Sequence, residues 1–209
     1  VRAEGKLGGE LVLKQVPTAG LSGAQREAAL NEARLMQRLR HPALVAYEGA
    51  WEEDGCLHIL MQHCPGGDLA RVLAAGKPLE EDWIWDLVIS AAEGLRFLHE
   101  NRVLHRDLKP SNIFLDGTGR RAIIGDLGMG RALEGGQLAA TAVGTPVYFS
   151  PELCQGRPYG AKSDIWALGC VLFEMTACRP PFMASNQLAL GRKIVHDPVP
   201  PVAECYSPQ

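Results

Sequence analysis

Two segments with a helical spacing of apolar residues flank a long irregular stretch of the chain. The first covers residues 82–101 and the second covers residues 163–178, and apolar side chains recur there at every third or fourth position. This spacing predicts two long amphipathic helices. The stretch between them is rich in glycine and polar residues, and such a region inside a compact domain usually carries function. The positions that set the pattern are Ile84, Val88, Ala91, Leu95, Leu98, Ile165, Leu168, Leu172 and Met175.

The first third of the chain has the pattern of a small β-rich unit. Residues 10–16 form a short apolar run behind a Gly-Gly turn and predict a strand. Residues 25–40 contain strong helix formers without Gly or Pro and predict a helix that ends before Pro42. Residues 44–51 and 56–62 predict two more strands. The order strand, helix, strand, strand, followed by a helical part, indicates the α+β class.

Composition excludes several classes of protein. The formal net charge of −3 argues against a protein that binds nucleic-acid backbones. The most apolar run, residues 165–173, is too short to cross a bilayer, and no signal peptide opens the chain. The six cysteines form no CxxC pair, so they predict reduced thiols in a cytoplasmic protein. We expect a globular protein with neither membrane insertion nor a nucleic-acid partner.

The strongest chemical pattern follows the first long helix directly, at residues 105–112. The sequence His-Arg-Asp-Leu-Lys-Pro-Ser-Asn matches H-R-D-L-x-x-x-N at every fixed position. In phosphoryl transfer, Asp107 could orient a hydroxyl and accept its proton, while Lys109 could neutralise charge on the moving group. Asn112 offers an amide oxygen to Mg²⁺. The alternative is a solvated basic loop that matches by chance.

Three further patterns follow in the same order. Asp126 precedes Leu127-Gly128 behind an apolar pair, a position suited to a metal-binding carboxylate, although an Asp before a Gly is often only a turn. Residues 144–146 read Gly-Thr-Pro and residues 150–152 read Ser-Pro-Glu. Residues 164–169, Asp-Ile-Trp-Ala-Leu-Gly, open the second long helix, where the Asp alone would be read as a cap and the Trp as core.

This order of motifs resembles the eukaryotic protein kinases, and in particular the NIMA-related (Nek) serine/threonine kinases. Four segments of the sequence are similar to those of that group: LVLKQV, NEARLMQRLRHPALV, VGTPVYFSPELCQG and KSDIWALGCVLFEM. The resemblance implies a bilobal protein-kinase-like fold with a small β-rich N-lobe at residues 1–62. It implies a hinge at residues 63–67 and a larger helical C-lobe at residues 68–209. The implied reaction transfers the γ-phosphate of ATP to Ser or Thr hydroxyls of protein substrates, with Mg²⁺ as cofactor.

The resemblance also implies roles for single residues. Asp107 and Lys109 become the catalytic pair, and Asn112 and Asp126 become the Mg²⁺ ligands. Lys14 matches the strand lysine that holds the α- and β-phosphates, although alone it would be read as a solvated strand-end lysine. Glu32, on the helix, matches the glutamate that pairs with it.

The adenine end of the site is implied in the same way. Met61 falls at the gatekeeper position, and the backbone groups of Gln62 and Cys64 fall in the hinge that contacts adenine. Asp68 matches a polar residue near the ribose. The residues that match the apolar stack joining the lobes are Met36, Tyr47, His105 and Leu127.

The region between the Asp126 motif and Ser-Pro-Glu is implied to be an activation segment. Thr141 lies where Nek-type kinases carry an activating Ser or Thr, and Arg106 is the expected partner of its phosphate. Thr145 is assigned to the substrate platform, contacting Asp107 and Lys109. An ordinary loop threonine is the alternative for Thr141.

Both lobes are expected to be incomplete. The Gly-rich phosphate loop is expected upstream of Val1, and the last C-lobe helices, one of which supplies an arginine to Glu152, are expected beyond Gln209. Two rival functions stay open, a pseudokinase that binds nucleotide or acts as a scaffold, and a small-molecule phosphotransferase. Family resemblance suggests cell-cycle, centrosome or cilium signalling with cytoskeletal or ciliary partners.

Overall fold

The N-terminal part of the molecule is a four-stranded antiparallel sheet with one long helix. The computed structural model describes residues 2–4, 10–127, 146–202 and 205–207. The strand order is β1-β2-β4-β3, so β4 lies between β2 and β3 in the sheet. The elements are β1 (Arg2–Glu4), β2 (Glu10–Pro17), α1 (Gly23–Met36), β3 (Tyr47–Glu53) and β4 (Cys56–Gln62).

The C-terminal part is mainly helical and carries one small hairpin. Its helices are α2 (Leu69–Leu73), α3 (Glu81–Glu100), α4 (Pro151–Cys154), α5 (Ala161–Ala177) and α6 (Gln187–His196). The hairpin strands are β5 (Ile113–Leu115) and β6 (Ala122–Ile124), and 3-10 turns cover Pro110–Asn112 and Pro146–Tyr148. The α+β architecture expected from the sequence, with a β-rich and a helical part, is confirmed. Within the described residues, no helix is both long enough and apolar enough to cross a membrane.

A short extended segment between α1 and β3 joins the two parts. The Val45 amide donates to the Ile124 carbonyl, and the Ile124 amide donates to the Ala43 carbonyl, each at 2.8 Å. On its other side this segment meets α3 at Gly94, where a Cβ would lie 2.9 Å from the Ala43 carbonyl oxygen. One apolar core therefore runs from the sheet through this segment into the helical part. It includes Met36, Tyr47 and Leu127, and Met36, Tyr47, Leu127 and His105 are all buried.

The hairpin β5–β6 places two loops of the site next to each other. Ile113 pairs with Ile124 in its antiparallel register, so Asn112 and Gly125 are adjacent at its open end. The Gly125 amide donates to the Asn112 carbonyl at 2.9 Å. At the closed end, Asp116 accepts the amides of Thr118 and the two residues Arg120–Arg121. These bonds hold the pKa of Asp116 below its usual value, although desolvation opposes them.

The helix and strand bounds differ from the sequence expectation at several ends, and at the start of β3 a tertiary contact explains the difference. Strand β4 has the expected bounds, whereas α1 was expected at residues 25–40 and ends at Met36. Strand β3 was expected to begin at residue 44 and begins at Tyr47, because residues 43–45 bind β6 and not the larger sheet. Long-range pairing of this kind is not visible in local spacing.

Candidate active site

His105 is a fully buried side chain that fixes the shape of the loop at residues 105–112, the candidate catalytic loop. Its Nδ1 accepts the Asp107 amide at 3.3 Å, so Nε2 carries the proton and donates to the Gly125 carbonyl at 3.1 Å. Burial lowers the pKa of His105, although the neighbouring carboxylates oppose this shift. The neutral imidazole therefore links the loop that carries Asp107 to the loop that carries Asp126.

A second anchor of the same loop is Asp164, in the first turn of α5 and completely buried. It accepts the backbone amides of His105 and Arg106, both at 3.0 Å. It also accepts the Tyr159 hydroxyl at 2.6 Å and bonds His99 Nε2 at 2.7 Å. A buried carboxylate needs several donors to offset its desolvation, and these four supply them.

Asp107, Lys109 and Asn112 meet around one carboxylate oxygen. Lys109 Nζ donates to Asp107 Oδ2 at 2.7 Å, and Asn112 Nδ2 donates to the same oxygen at 3.1 Å. Asn112 Nδ2 also donates to the Asp107 carbonyl at 2.7 Å. Within the described part of the chain, Asp107 Oδ1 accepts no hydrogen bond, so it is the oxygen that can receive a substrate hydroxyl.

Asp126 stands across from this group on a tightly constrained backbone. Its φ of 59° lies in the left-handed region, and the preceding Gly125 has no room for a side chain. A Cβ on Gly125 would lie 2.7 Å from Val45 and 2.8 Å from Phe114. The Asp126 carboxylate forms an ion pair with Lys14 of β2. The structure thus brings Lys14 and Asp126 together from positions far apart in the sequence.

The donor set of this site fits Mg²⁺ bound together with phosphates. Asn112 uses its amide nitrogen on Asp107, which leaves its Oδ1 without a donor among the described residues. Asp126 offers a half-exposed carboxylate, and its neighbour Gly125 is bonded to the Asn112 backbone. The described part of the chain contains no cluster of three or more His, Cys, Asp or Glu side chains suited to a metal. Two oxygen ligands from protein, with the others from phosphate and water, is the usual arrangement for Mg²⁺.

The expected hinge follows β4 and is held to the sheet on both sides. The Gln62 amide donates to the Ala46 carbonyl at 2.8 Å, and the His63 amide donates to the Glu10 carbonyl at 3.2 Å. Gly67 donates to the Cys64 carbonyl at 3.1 Å. The Cys64 amide donates to none of the described residues, so it remains available to a ligand. Burial raises the pKa of the Cys64 thiol to about 11, which makes it an apolar wall and not a nucleophile.

A small apolar cluster lies beside the hinge. Cys64 packs with Val45 and Ile123, and the half-buried Met61 and Phe114 pack against them. Such a cluster suits the flat face of a purine. Asp68, expected near the ribose, accepts the Arg71 amide at 2.9 Å and caps α2.

The segment that leads into α4 is fixed to α5. Ser163 donates through Oγ to Glu152, and the Tyr148 hydroxyl donates to Glu174 at 2.6 Å. Burial alone would raise the pKa of Glu152. The hydrogen bond from Ser163 and the positive charge of Arg157 oppose burial, and the pKa of Glu152 lies below its usual value. Burial raises the pKa of Glu174.

Three of the expected site residues lie outside what the structure describes. The Glu32 side chain, and all of Thr141 and Thr145, belong to this group. The Lys14–Glu32 pair and both threonine assignments stay predictions. Arg106 is described; its side chain is exposed and its φ of 67° is left-handed.

Sequence reasoning missed the anchoring role of Asp164 and its partners His99 and Tyr159. It treated Asp164, taken alone, as a helix cap, whereas its carboxylate holds the catalytic loop. It also missed Phe114 in the wall beside the hinge. The only sequence signal for Asp164 is an acidic residue at the start of an otherwise apolar helix.

A two-part fold with a His-anchored Asp, a Lys and an Asn on one loop, and an Asp on the next, is typical of the protein kinase class. The protein kinase domain family model matches residues 4–204, and the chain belongs to the protein kinase family. It is 41% identical to mouse serine/threonine-protein kinase Nek4 over 99% of this chain and 26% of that protein. It is 40% identical to mouse serine/threonine-protein kinase Nek1 over 96% of this chain and 17% of that protein.

Human serine/threonine-protein kinase Nek5 is 38% identical over 94% of this chain and 28% of its own length. The resemblance to Nek kinases stated from the motifs is therefore confirmed. The chain spans less than a third of the length of these three relatives.

Proposed function

We propose that this chain is the core of a protein serine/threonine kinase that transfers the ATP γ-phosphate to Ser or Thr hydroxyls of proteins. The observation that carries the proposal is the shared contact of Lys109 and Asn112 with one oxygen of Asp107. This contact leaves the other oxygen for the substrate. The three relatives named above are all serine/threonine-protein kinases, which supports the same reaction.

Each polar group has a distinct task in this reaction. Asp107 orients the attacking hydroxyl and accepts its proton, and Lys109 neutralises charge that develops on the transferred group. Asn112 and Asp126 would hold Mg²⁺, which would shield the phosphate charge. Lys14 would pair with the α- and β-phosphates in place of Asp126. Catalysis of this kind depends mostly on positioning, which the buried His105 and Asp164 supply.

The nucleotide is proposed to bind with its adenine at the hinge. The Cys64 amide and the Gln62 and Cys64 carbonyls are the backbone groups for this contact, with Met61 as gatekeeper. Asp68 is proposed to lie near the ribose while it caps α2. The lobe boundaries at residues 1–62, 63–67 and 68–209 belong to the same proposal.

Replacement of the proposed base tests the assignment. Asp107→Asn in the full-length protein should lower peptide phosphorylation by a factor of about 10² to 10⁴, because a neutral amide accepts no proton. ATP affinity should stay near the wild-type value, since the change is almost isosteric. Asp86→Asn, at an exposed carboxylate of α3, is the matched control and should keep wild-type turnover.

Other outcomes of this experiment point to the rival functions. A wild-type protein that binds ATP without turnover would be a pseudokinase, and the proposal would fall. Phosphorylation of a small hydroxylated metabolite in preference to any peptide would indicate a small-molecule phosphotransferase instead.

A phosphorylation switch is proposed at Thr141. Phosphate adds about −1.5 to −2 charge, and the exposed Arg106 beside Asp107 is the proposed partner. Mass spectrometry of the active full-length kinase should find Thr141 modified, and Thr141→Ala and Arg106→Ala should each lower activity. Thr145→Ser, which keeps the hydroxyl proposed for the substrate platform, is the control. An unmodified Thr141 in fully active enzyme would remove the switch.

The cellular role is proposed from family resemblance alone. We place the kinase in the cytoplasm, with signalling at the centrosome, cilium or cytoskeleton and partners bound through regions outside this chain. Imaging of the tagged full-length protein against a centrosome marker tests this placement, and a uniform distribution at all cell-cycle stages would contradict it.

A further inference from the structure

Ser163 is a buried hydroxyl with two partners on different segments. It is the third residue of α5 and is 1% exposed. Its Oγ accepts the Gly160 amide at 3.3 Å and donates to Glu152. The first bond satisfies one free donor at the start of the helix, and the second connects α5 to α4.

Asp164, the next residue, points to a different part of the site. Successive side chains on a helix diverge by about 100°, so neighbours contact different surroundings. Ser163 reaches Glu152 in α4, while Asp164 reaches the amides of His105 and Arg106. The first turn of α5 therefore holds two segments at once, the catalytic loop and the chain that ends in α4.

The Ser163 bond is made to a charged acceptor. The Glu152 carboxylate is ionised at neutral pH, since its pKa lies below an ordinary value that is itself well under 7, and hydrogen bonds to ions are stronger than those between neutral groups. Glu152 lies close behind the turn Pro146–Tyr148 and the fully buried Ser150. Tyr148 in this turn is bonded to Glu174 of α5, and Glu152 is bonded to Ser163 of the same helix, so the two ends of the Pro146–Glu152 segment are both held to α5.

We infer that Ser163 is a positioning residue for the protein substrate, which fixes the Pro146–Glu152 segment relative to Asp107. The inference rests on the proposed kinase function and adds a residue to its substrate platform. The two neighbouring residues then have different tasks. Asp164 sets the geometry of the base, and Ser163 sets the surface on which a peptide lies.

The test compares three replacements in the full-length kinase. Ser163→Ala and Ser163→Cys remove the strong donor, and the second keeps nearly the same volume so that the fold is preserved. Both should raise the KM for a Ser/Thr peptide about tenfold, as expected for a bond to a charged group. The KM for ATP and peptide-independent ATP hydrolysis should stay within twofold of wild type. Ser163→Thr, which keeps the hydroxyl, should restore most of the peptide KM.

The partner residue gives an independent readout. Glu152→Gln turns the charged acceptor into a neutral one and should also raise the peptide KM, and adding Ser163→Cys to it should cost less than Ser163→Cys costs in the wild type, because both changes weaken the same bond. An unchanged peptide KM in Ser163→Cys, an equal rise in the KM for ATP, or strict additivity with Glu152→Gln would each overturn the inference. A wild-type protein without peptide kinase activity would instead refute the proposed function, so the two failures are distinguishable.

Discussion

Lys14 brings a positive charge into a site that already contains two carboxylates. Its ion pair with Asp126 is more than a third exposed on both sides, so water screens much of the attraction. Such a pair is easily exchanged for other partners. When phosphates enter the site, Lys14 can pair with them and Asp126 is free for Mg²⁺, which suits the proposed sequence of contacts.

Replacement of Lys14 should therefore impair phosphoryl transfer more than it impairs stability. Lys14→Met should lower kcat/KM for ATP by about a hundredfold or more, because a fixed charge aimed at the phosphates is lost. Lys77→Met, at an exposed lysine, is the control and should leave kcat/KM unchanged. Steady-state kinetics at saturating peptide measure both.

A double-mutant cycle tests the expected partnership of Lys14 with Glu32. Glu32→Gln should impair kcat/KM through the same ion pair, so the double variant should lose far less than the two single losses combined. Strictly additive losses in kcat/KM would show that Lys14 and Glu32 do not act together in the active state.

At the scale of single helices, two glycines occupy opposite environments. Gly94 of α3 faces the segment that joins the two lobes, and a Cβ there would lie 2.9 Å from the Ala43 carbonyl oxygen and 3.2 Å from Ile124. Gly169 of α5 has open space around the position of a Cβ. Alanine has the higher helix propensity at both sites, so only packing distinguishes them.

The two alanine variants should change stability in opposite directions. Gly169→Ala should stabilise the protein by about 0.5–1 kcal/mol through reduced chain entropy. Gly94→Ala should destabilise it by about 1–3 kcal/mol, because the carbonyl oxygen it meets belongs to the backbone and moves little. Urea unfolding of the two variants measures both effects, and a stabilised Gly94→Ala would show that residues 43–45 are not held tightly.

The elements that were predicted best from the sequence are those whose formation depends on residues within the element itself. Strand β4 and helix α3 follow from their own apolar patterns, and their observed bounds agree with prediction within a residue or so. The motif at residues 105–112 is also local, so Asp107, Lys109 and Asn112 could be named from it. The role of Asp164 could not, because its partners His99 and His105 lie 65 and 59 residues earlier in the chain.

Across the whole molecule, His105 joins the catalytic loop to the loop of Asp126 from a fully buried position. Its two hydrogen bonds require the neutral imidazole, since Nδ1 accepts from the Asp107 amide and Nε2 donates to the Gly125 carbonyl. Protonation in place would lose the first of these bonds. Folding therefore depends on keeping this imidazole neutral, which makes overall stability sensitive to pH.

The sign of this dependence follows from the lowered pKa of His105. In the unfolded chain the imidazole takes up a proton near pH 6.5, while the folded protein keeps it neutral to lower pH. The unfolded state then binds more protons, so the free energy of unfolding falls as pH falls below about 6.5. Carboxylates with a lowered pKa, such as Glu48 and Glu152, lose their contribution only below about their ordinary value of 4.5. Glu174, whose pKa is raised by burial, has the opposite effect and raises the free energy of unfolding as the pH falls.

Urea unfolding at pH 7.5 and pH 5.5 should isolate the contribution of His105. Between pH 6.5 and pH 5.5, protonation of His105 in the unfolded chain should lower the free energy of unfolding of the wild-type protein by up to about 1.4 kcal/mol. His105→Tyr has no group at this position that titrates in the window and should lose correspondingly less between the two pH values, whatever its starting stability. His196→Tyr, at an exposed histidine near the end of α6, is the control variant and should keep the wild-type difference. An equal pH difference in wild type and His105→Tyr would mean that another group controls the acid sensitivity of the fold.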